Sequence, residues 1–158
     1  MKKFNRALLC GLALIALAGC VGYQKQTFEV KPVVEIIEVP GKTKNELYLL
    51  THIWLNELFK DSKSVVQFTD KESGTITGKY MLGTLLTASQ YREGVYAMAN
   101  IRITLKDGKA LIVIEAYSTQ EEYYNDPMFI VYDDFKAQQD IVALVDTYKL
   151  ALSKDAEW

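Results

Sequence analysis

At 158 residues, of which 49% are hydrophobic and 24% charged, the chain is long enough for one folded domain with a core of ordinary size. Its formal charge is −2, and Lys2, Lys3 and Arg6 are the charged residues of the first twenty, so the remainder carries fifteen basic against twenty acidic residues. Such a domain lacks the attraction to phosphate that supplies most of the affinity for nucleic acid, and we expect no nucleic-acid partner.

The first twenty residues have the pattern of a secretory signal peptide. Basic residues precede an apolar run over 7–17, which is too short to span a bilayer core of roughly 30 Å. The segment then ends in Leu17-Ala18-Gly19-Cys20, which resembles a bacterial lipobox. The resemblance implies cleavage between Gly19 and Cys20 and acylation of the Cys20 thiol with palmitate-like chains. Residues 1–19 are therefore predicted to be a lipoprotein signal peptide.

A lipidated Cys20 has two further consequences. Two or three acyl chains are enough for stable membrane anchoring, whereas a single chain is marginal. In Gram-negative lipoproteins an Asp directly after the Cys is the usual signal for retention at the inner membrane, and here the residue is Val21. In a Gram-negative host the resemblance thus implies an outer-membrane lipoprotein facing the periplasm. Cys10 would leave with the signal peptide, so the mature domain would have no thiol for a disulfide, a nucleophile or a metal.

The chain after Cys20 begins with a predicted tether and an edge strand. Residues 20–32 form the lipidated Cys and its polar tether, and 33–158 form a single periplasmic domain. Val33–Val39 is rich in Val and Ile and lies between two prolines, a pattern typical of an edge strand. A capping box at Thr43 and Glu46 then starts an amphipathic helix over 43–60.

The rest of the chain is predicted to be a meander of strands closed by a helix. Asp107-Gly108 indicates a tight hairpin turn, and Gly78 is a candidate bulge. Residues 83–94 are predicted as a loop or ragged strand end, 118–127 as an acidic loop, and 128–132 as a short apolar segment. The strands are expected at 65–69, 75–82, 95–105 and 110–117, and a final helix at 134–153, capped by Asp133 or Asp134.

The element order β-α-β-β-β-β-α predicts an α+β two-layer sandwich, with an antiparallel sheet of about five strands and two helices on one face.

Three stretches of the chain share a pattern with known proteins: Glu38-Val39-Pro40-Gly41-Lys42-Thr43, Ser62-Lys63-Ser64-Val65-Val66-Gln67, and Asp70 to Lys79. They resemble a bacterial family of domains of unknown function with a TATA-binding-protein-like (TBP-like) fold. The family is often found in secreted proteins and lipoproteins. The resemblance implies the fold and supplies no activity and no catalytic residue, because function belongs to sites rather than to folds.

Side chains suited to catalysis or metal binding are few. His52 is the single histidine, and its place at the edge of a helical apolar stripe indicates a structural role. The acidic residues before the last helix suit a solvated loop and a helix cap, with a cation site or acid–base chemistry as open alternatives; they are Glu121, Glu122, Asp126, Asp133 and Asp134. We therefore expect no enzyme activity, no metal and no cofactor.

The strand at 110–117 is apolar on both sides, although the outer side of a two-layer sandwich should be polar. Large exposed apolar patches mark partner or membrane surfaces. The predicted partner surface comprises Met98, Leu111, Val113, Tyr117, Tyr123 and Tyr124, and replacing Val113 with Lys is expected to abolish association. Coverage of this side by a helix, by residues 83–94 or by the N-terminal tail is an equal alternative.

Together these features predict a lipid-anchored cell-envelope protein acting as a non-enzymatic binding or accessory module. Its expected partners are the membrane, through Cys20, and an envelope protein or a second copy of the chain. Two alternatives remain open: a small envelope hydrolase or cation-binding protein that uses the acidic loop, and an exclusion or immunity lipoprotein.

Overall fold

The computed structural model describes residues 24–60, 64–125 and 132–154. A five-stranded antiparallel sheet has the strand order β2-β6-β5-β4-β3, and β1 pairs with β7 in a separate two-stranded sheet. This architecture confirms the predicted α+β fold and the edge position of β2. The elements are β1 (Gln24–Thr27), β2 (Val33–Glu38), α1 (Lys44–Leu58), β3 (Val65–Asp70), β4 (Thr75–Leu86), β5 (Val95–Lys106), β6 (Lys109–Ser118), β7 (Glu122–Asn125) and α2 (Asp134–Ser153).

Helix α1 starts where the sequence predicts. The Glu46 N–H donates to the Thr43 hydroxyl, and the Glu46 carboxylate accepts the Thr43 N–H at 2.7 Å, which completes the capping box. These hydrogen bonds from Thr43 lower the pKa of Glu46. The Asp107 carboxylate accepts the Lys44 N–H at 2.6 Å, so the β5–β6 turn supplies a second cap to the same helix.

The main core lies between the two helices and one side of the five-stranded sheet. Trp54 and Tyr148 meet there with ring centroids 4.8 Å apart, and the Trp54 indole N–H donates to the Thr147 hydroxyl. Tyr148 is fully buried, and its hydroxyl lies 2.8 Å from the Thr51 hydroxyl. Because Thr51 donates its own proton to the Leu47 carbonyl, the Tyr148 hydroxyl must be the donor to Thr51.

Two glycines make room for aromatic rings. A Cβ on Gly78 would lie 2.8 Å from the Phe59 ring, and one on Gly83 would lie 2.5 Å from the Tyr132 ring. The irregularity predicted at Gly78 occurs instead on the opposite strand, where the β3–β4 register shifts between Val66 and Phe68. Strand β4 continues to Leu86, beyond its predicted end. Its register against β5 shifts twice, between Met81 and Gly83 and between Thr84 and Leu86.

The small sheet was not predicted. Gln24–Thr27, expected in the tether, pairs antiparallel with Glu122–Asn125, expected in the acidic loop. A second apolar cluster explains the pairing, because Tyr123 is buried in it and Phe28 packs against it from the start of the chain. The buried members of this cluster are Leu85, Val95, Ala97, Tyr123, Tyr132 and Ala137. Most of the predicted apolar segment at 128–132 lies outside the described residues.

We predict that the buried Thr51–Tyr148 hydrogen bond is strongly non-additive. Thr51→Val should lower the free energy of unfolding by about 1–3 kcal/mol, since it leaves the buried Tyr148 hydroxyl without an acceptor. Tyr148→Phe removes the donor while Thr51 keeps its bond to Leu47, and should cost less. Urea unfolding of both single variants and the double variant measures the coupling; a double variant as unstable as the sum of the two would contradict this prediction.

Candidate binding surface on the open side of the sheet

The side of the sheet that faces away from both helices carries the candidate surface, which we call the outer face. Strand alternation places every second residue there. On β2 these are Val34, Ile36 and Glu38, and the two apolar side chains are 64% and 62% exposed. Val34 lies directly opposite Val113 of β6, and Ile36 opposite Leu111, so the four side chains form a continuous apolar group at the sheet edge.

Four residues predicted for the partner surface do share the outer face. Leu111, Val113 and Tyr117 follow one another on β6 at two-residue steps, and Met98 of β5 lies directly opposite Tyr117. Their exposure is uneven: Met98 is 7% and Val113 9% exposed, while Leu111 and Tyr117 are partly exposed. Substitution of Val113 would therefore disturb packing between strands, and Ile36 is the better position at which to test the surface.

The two remaining tyrosines of the predicted surface are not on the outer face. Tyr123 is 4% exposed and packs in the second apolar cluster, where burial raises its pKa, so its assignment to a partner surface is wrong. Tyr124 is exposed but belongs to β7 of the small sheet. Consecutive strand residues point to opposite sides, so Tyr124 points away from the cluster that buries Tyr123.

Sequence reasoning missed Val34 and Ile36, the most exposed apolar residues of the outer face. The signal was present, since the segment Val33–Glu38 is apolar at both alternating positions, as the segment 110–117 is. An edge strand that is apolar on both sides leaves one set of side chains uncovered unless another element packs there.

A cleft in the outer face lies beside the β5–β6 turn. Its volume is about 260 Å³, and it is lined by Ile36, Thr104, Leu111, Lys106 and Lys109. The two lysines are directly opposite each other in the hairpin and are both exposed. Neither makes an ion pair within the described part of the chain, although Glu38 is the cross-strand neighbour of Lys109.

Asp107 forms no ion pair with either lysine within the described part of the chain. Its carboxylate accepts a hydrogen bond from the Lys44 N–H at the start of α1, on the side of the sheet that the helices cover. The pair therefore places two ammonium groups next to an apolar floor made by Ile36 and Leu111. Like charges directly opposite each other in a sheet are destabilising, which makes the arrangement unusual for a purely structural turn.

The acidic residues before the last helix have structural partners. Asp133 accepts the Lys136 N–H at 2.8 Å as the cap of α2, and Asp134 accepts the Glu29 N–H at 3.1 Å. Glu122 forms an ion pair of 2.5 Å with Lys25, while Glu121 is exposed. Asp126 lies outside the described residues. Among those described, no three His, Cys, Asp or Glu side chains come together in a way that could hold a metal ion.

His52 lies on α1, partly exposed, with its ring centroid 4.5 Å from that of Tyr48. Its Nε2 atom is buried and lacks a hydrogen-bond partner among the described residues. The partly exposed position of His52 on α1 is the one predicted, and its structural role stays a prediction.

Gly19 and Cys20 lie outside the described residues. No helix in the described ranges has the length and hydrophobicity needed to cross a bilayer.

The chain is similar to proteins of one family. The model of a domain of unknown function with a TBP-like fold (DUF4468) matches residues 34–120. A crystal structure of a DUF4468 family protein from Bacteroides ovatus superposes with a TM-score of 0.52 at 18% identity, covering 84% of this chain and 93% of that one. A TBP-like protein from Parabacteroides distasonis gives 0.55 at 15% identity, covering 80% and 94%. No curated protein matches the chain.

We predict that the Lys106–Lys109 pair lowers the stability of the fold. Lys106→Glu should raise the free energy of unfolding by a few tenths to about 1 kcal/mol, because it replaces repulsion across the hairpin with attraction. Lys71→Glu, the same change at an exposed lysine of the β3–β4 turn, is the control. The measurement is urea unfolding at low salt; a Lys106→Glu variant less stable than the parent would contradict the prediction.

Proposed function

We propose, from the premise that this chain belongs to the DUF4468 family of domains with a TBP-like fold, that it is a lipid-anchored cell-envelope protein. Its folded domain serves as a non-enzymatic binding module for another envelope protein, and the outer face is the binding surface. In a Gram-negative host the anchor is in the outer membrane, and the domain faces the periplasm.

The sequence Leu17-Ala18-Gly19-Cys20 supports the anchoring part of the proposal. It follows a basic segment and an apolar run whose lengths suit a signal peptide rather than a membrane span. Acylation at Cys20 would hold the domain beside the bilayer through two or three chains.

One observation supports the binding part above all others: Val34 and Ile36 are nearly two-thirds exposed on a side of the sheet that neither helix covers. Apolar side chains clustered on an open sheet surface mark a site of association. The acidic residues give no comparable support for catalysis, since Asp133, Asp134 and Glu122 are engaged in capping and ion pairing.

For the anchor, we expect Cys20→Ser to abolish incorporation of radiolabelled palmitate and to leave the chain unprocessed, because the acylated thiol is lost. Cys10→Ser, within the predicted signal peptide, is the matched control and should be acylated normally. Mass spectrometry of the protein from its native host gives the mass of the N-terminal peptide. An unmodified Cys20, or an intact leader on the parent protein, would refute the anchor.

For the binding surface, we expect Ile36→Lys to abolish cross-linking of the acylated protein to its envelope partner in native membranes. A charged side chain in the centre of an apolar contact must be desolvated without a counter-charge. Leu150→Lys is the matched control, since Leu150 is equally exposed but lies on α2, on the helical side of the domain.

Both variants should unfold at nearly the parent temperature, because both positions are exposed. Loss of the cross-linked product in Ile36→Lys alone would support the outer face. Equal cross-linking in both variants would show that the partner binds elsewhere.

A further inference from the structure

The outer face has more basic than acidic side chains, in contrast to the chain as a whole. Across its five strands the ionisable side chains are Lys79, Arg102, Lys106 and Lys109 against Glu38, Asp70 and Glu115. The complete chain has a net charge of −2. Positive charge is therefore concentrated on the same surface that exposes apolar side chains, and a ligand of opposite charge is attracted to this side first.

The charged and apolar side chains are arranged in rows at a fixed spacing. One row across β5, β6 and β2 consists of Lys106, Lys109 and Glu38, and the next consists of Thr104, Leu111 and Ile36. Adjacent rows are two residues apart along the strands, about 6.6 Å. The same distance separates alternate side chains of an extended peptide, so a segment lying along the strands matches both rows at once.

We propose that the cleft at Lys106 and Lys109 binds an extended segment of a partner protein in which an acidic residue is followed, two positions later, by an apolar one. The carboxylate lies between the two ammonium groups, and the apolar side chain covers Ile36 and Leu111. This inference rests on the proposed function and deepens it, since it specifies the chemistry of the segment that the outer face recognises.

Charge disfavours a second copy of the chain as the occupant. Two outer faces in contact would bring the Lys106–Lys109 pairs of both copies onto one interface, with eight basic against six acidic side chains in all. Addition edge-to-edge at β2 would instead join single strands, which bury much less than the roughly 1,200 Å² of a stable interface. Pro32 and Pro40 further restrict pairing along that edge.

The test uses the acylated protein in phosphatidylcholine nanodiscs and a fluorescein-labelled peptide, Glu-Thr-Ile-Thr-Ile-amide, with fluorescence anisotropy as the readout. We expect saturable binding that is weakened about fivefold or more in the variant Lys106→Gln/Lys109→Gln, since two exposed charge pairs are lost. The variant Lys60→Gln/Lys71→Gln has the same net charge and should bind like the parent. A peptide with Lys in place of Glu should not bind.

Several results would overturn the inference. They are equal binding of the Glu and Lys peptides, equal loss in both double variants, displacement of the peptide by acetate as effectively as by unlabelled peptide, or self-association of the protein that the peptide disrupts. If the peptide fails to bind while Ile36→Lys still loses the cross-link to the envelope partner, the proposed function stands and this choice of ligand is wrong. If the peptide binds and Ile36→Lys has no effect on the cross-link, the cleft binds this kind of segment, but the outer face is not the surface that contacts the envelope partner.

Discussion

Both helices of the described residues lie on one side of the five-stranded sheet, and the other properties of the domain depend on this constraint. Both α1 and α2 pack against the same side, where the buried residues of β5 and β6 form the main core. A strand has two sets of side chains, so coverage of one side leaves the other to solvent or to a partner. Strands β2 and β6 nevertheless carry apolar residues on both sides, and this is why we propose the outer face as a binding surface.

The β5–β6 turn links the two sides of the sheet. Toward the helices, Asp107 caps α1, and the Gly108 N–H donates to the Lys42 carbonyl at 2.8 Å. Away from them, Lys106 and Lys109 border the cleft. Three hydrogen bonds, to Val39, Lys42 and Lys44, fix the turn beside the cleft. A binding site built on a fixed turn loses little conformational entropy when a ligand binds.

The elements that could be predicted are those with strong local signals. The capping box at Thr43 and Glu46 located the start of α1, Asp107-Gly108 located the hairpin, and the two flanking prolines identified β2 as an edge strand. The pairing of β1 with β7 has no such signal, because each strand has four mostly polar residues and the two are separated by about a hundred positions in the chain. Their pairing is decided by the packing of Tyr123 and Phe28 in the second cluster, which only the folded structure assembles.

The candidate surface could be predicted in part for the same reason. Alternation along 110–117 showed that both sides of β6 are apolar, which correctly grouped Leu111, Val113 and Tyr117. Alternation does not show which neighbouring strand continues the surface, and so Val34 and Ile36 were missed. Tyr123 was misplaced because a loop was expected where β7 forms. In a loop, unlike in a strand, the position of a residue in the sequence does not indicate which side its side chain faces.

Strand β1 begins at Gln24, four positions after Cys20, and this closeness would restrict the position of the domain if Cys20 carries the proposed lipid anchor. Four peptide units span at most about 14 Å even when fully extended. A domain attached to lipid through so few residues would be confined to a thin layer above the headgroups and could turn through only a limited range of orientations. Its binding partner would then have to be membrane-bound as well, or small enough to enter that narrow layer.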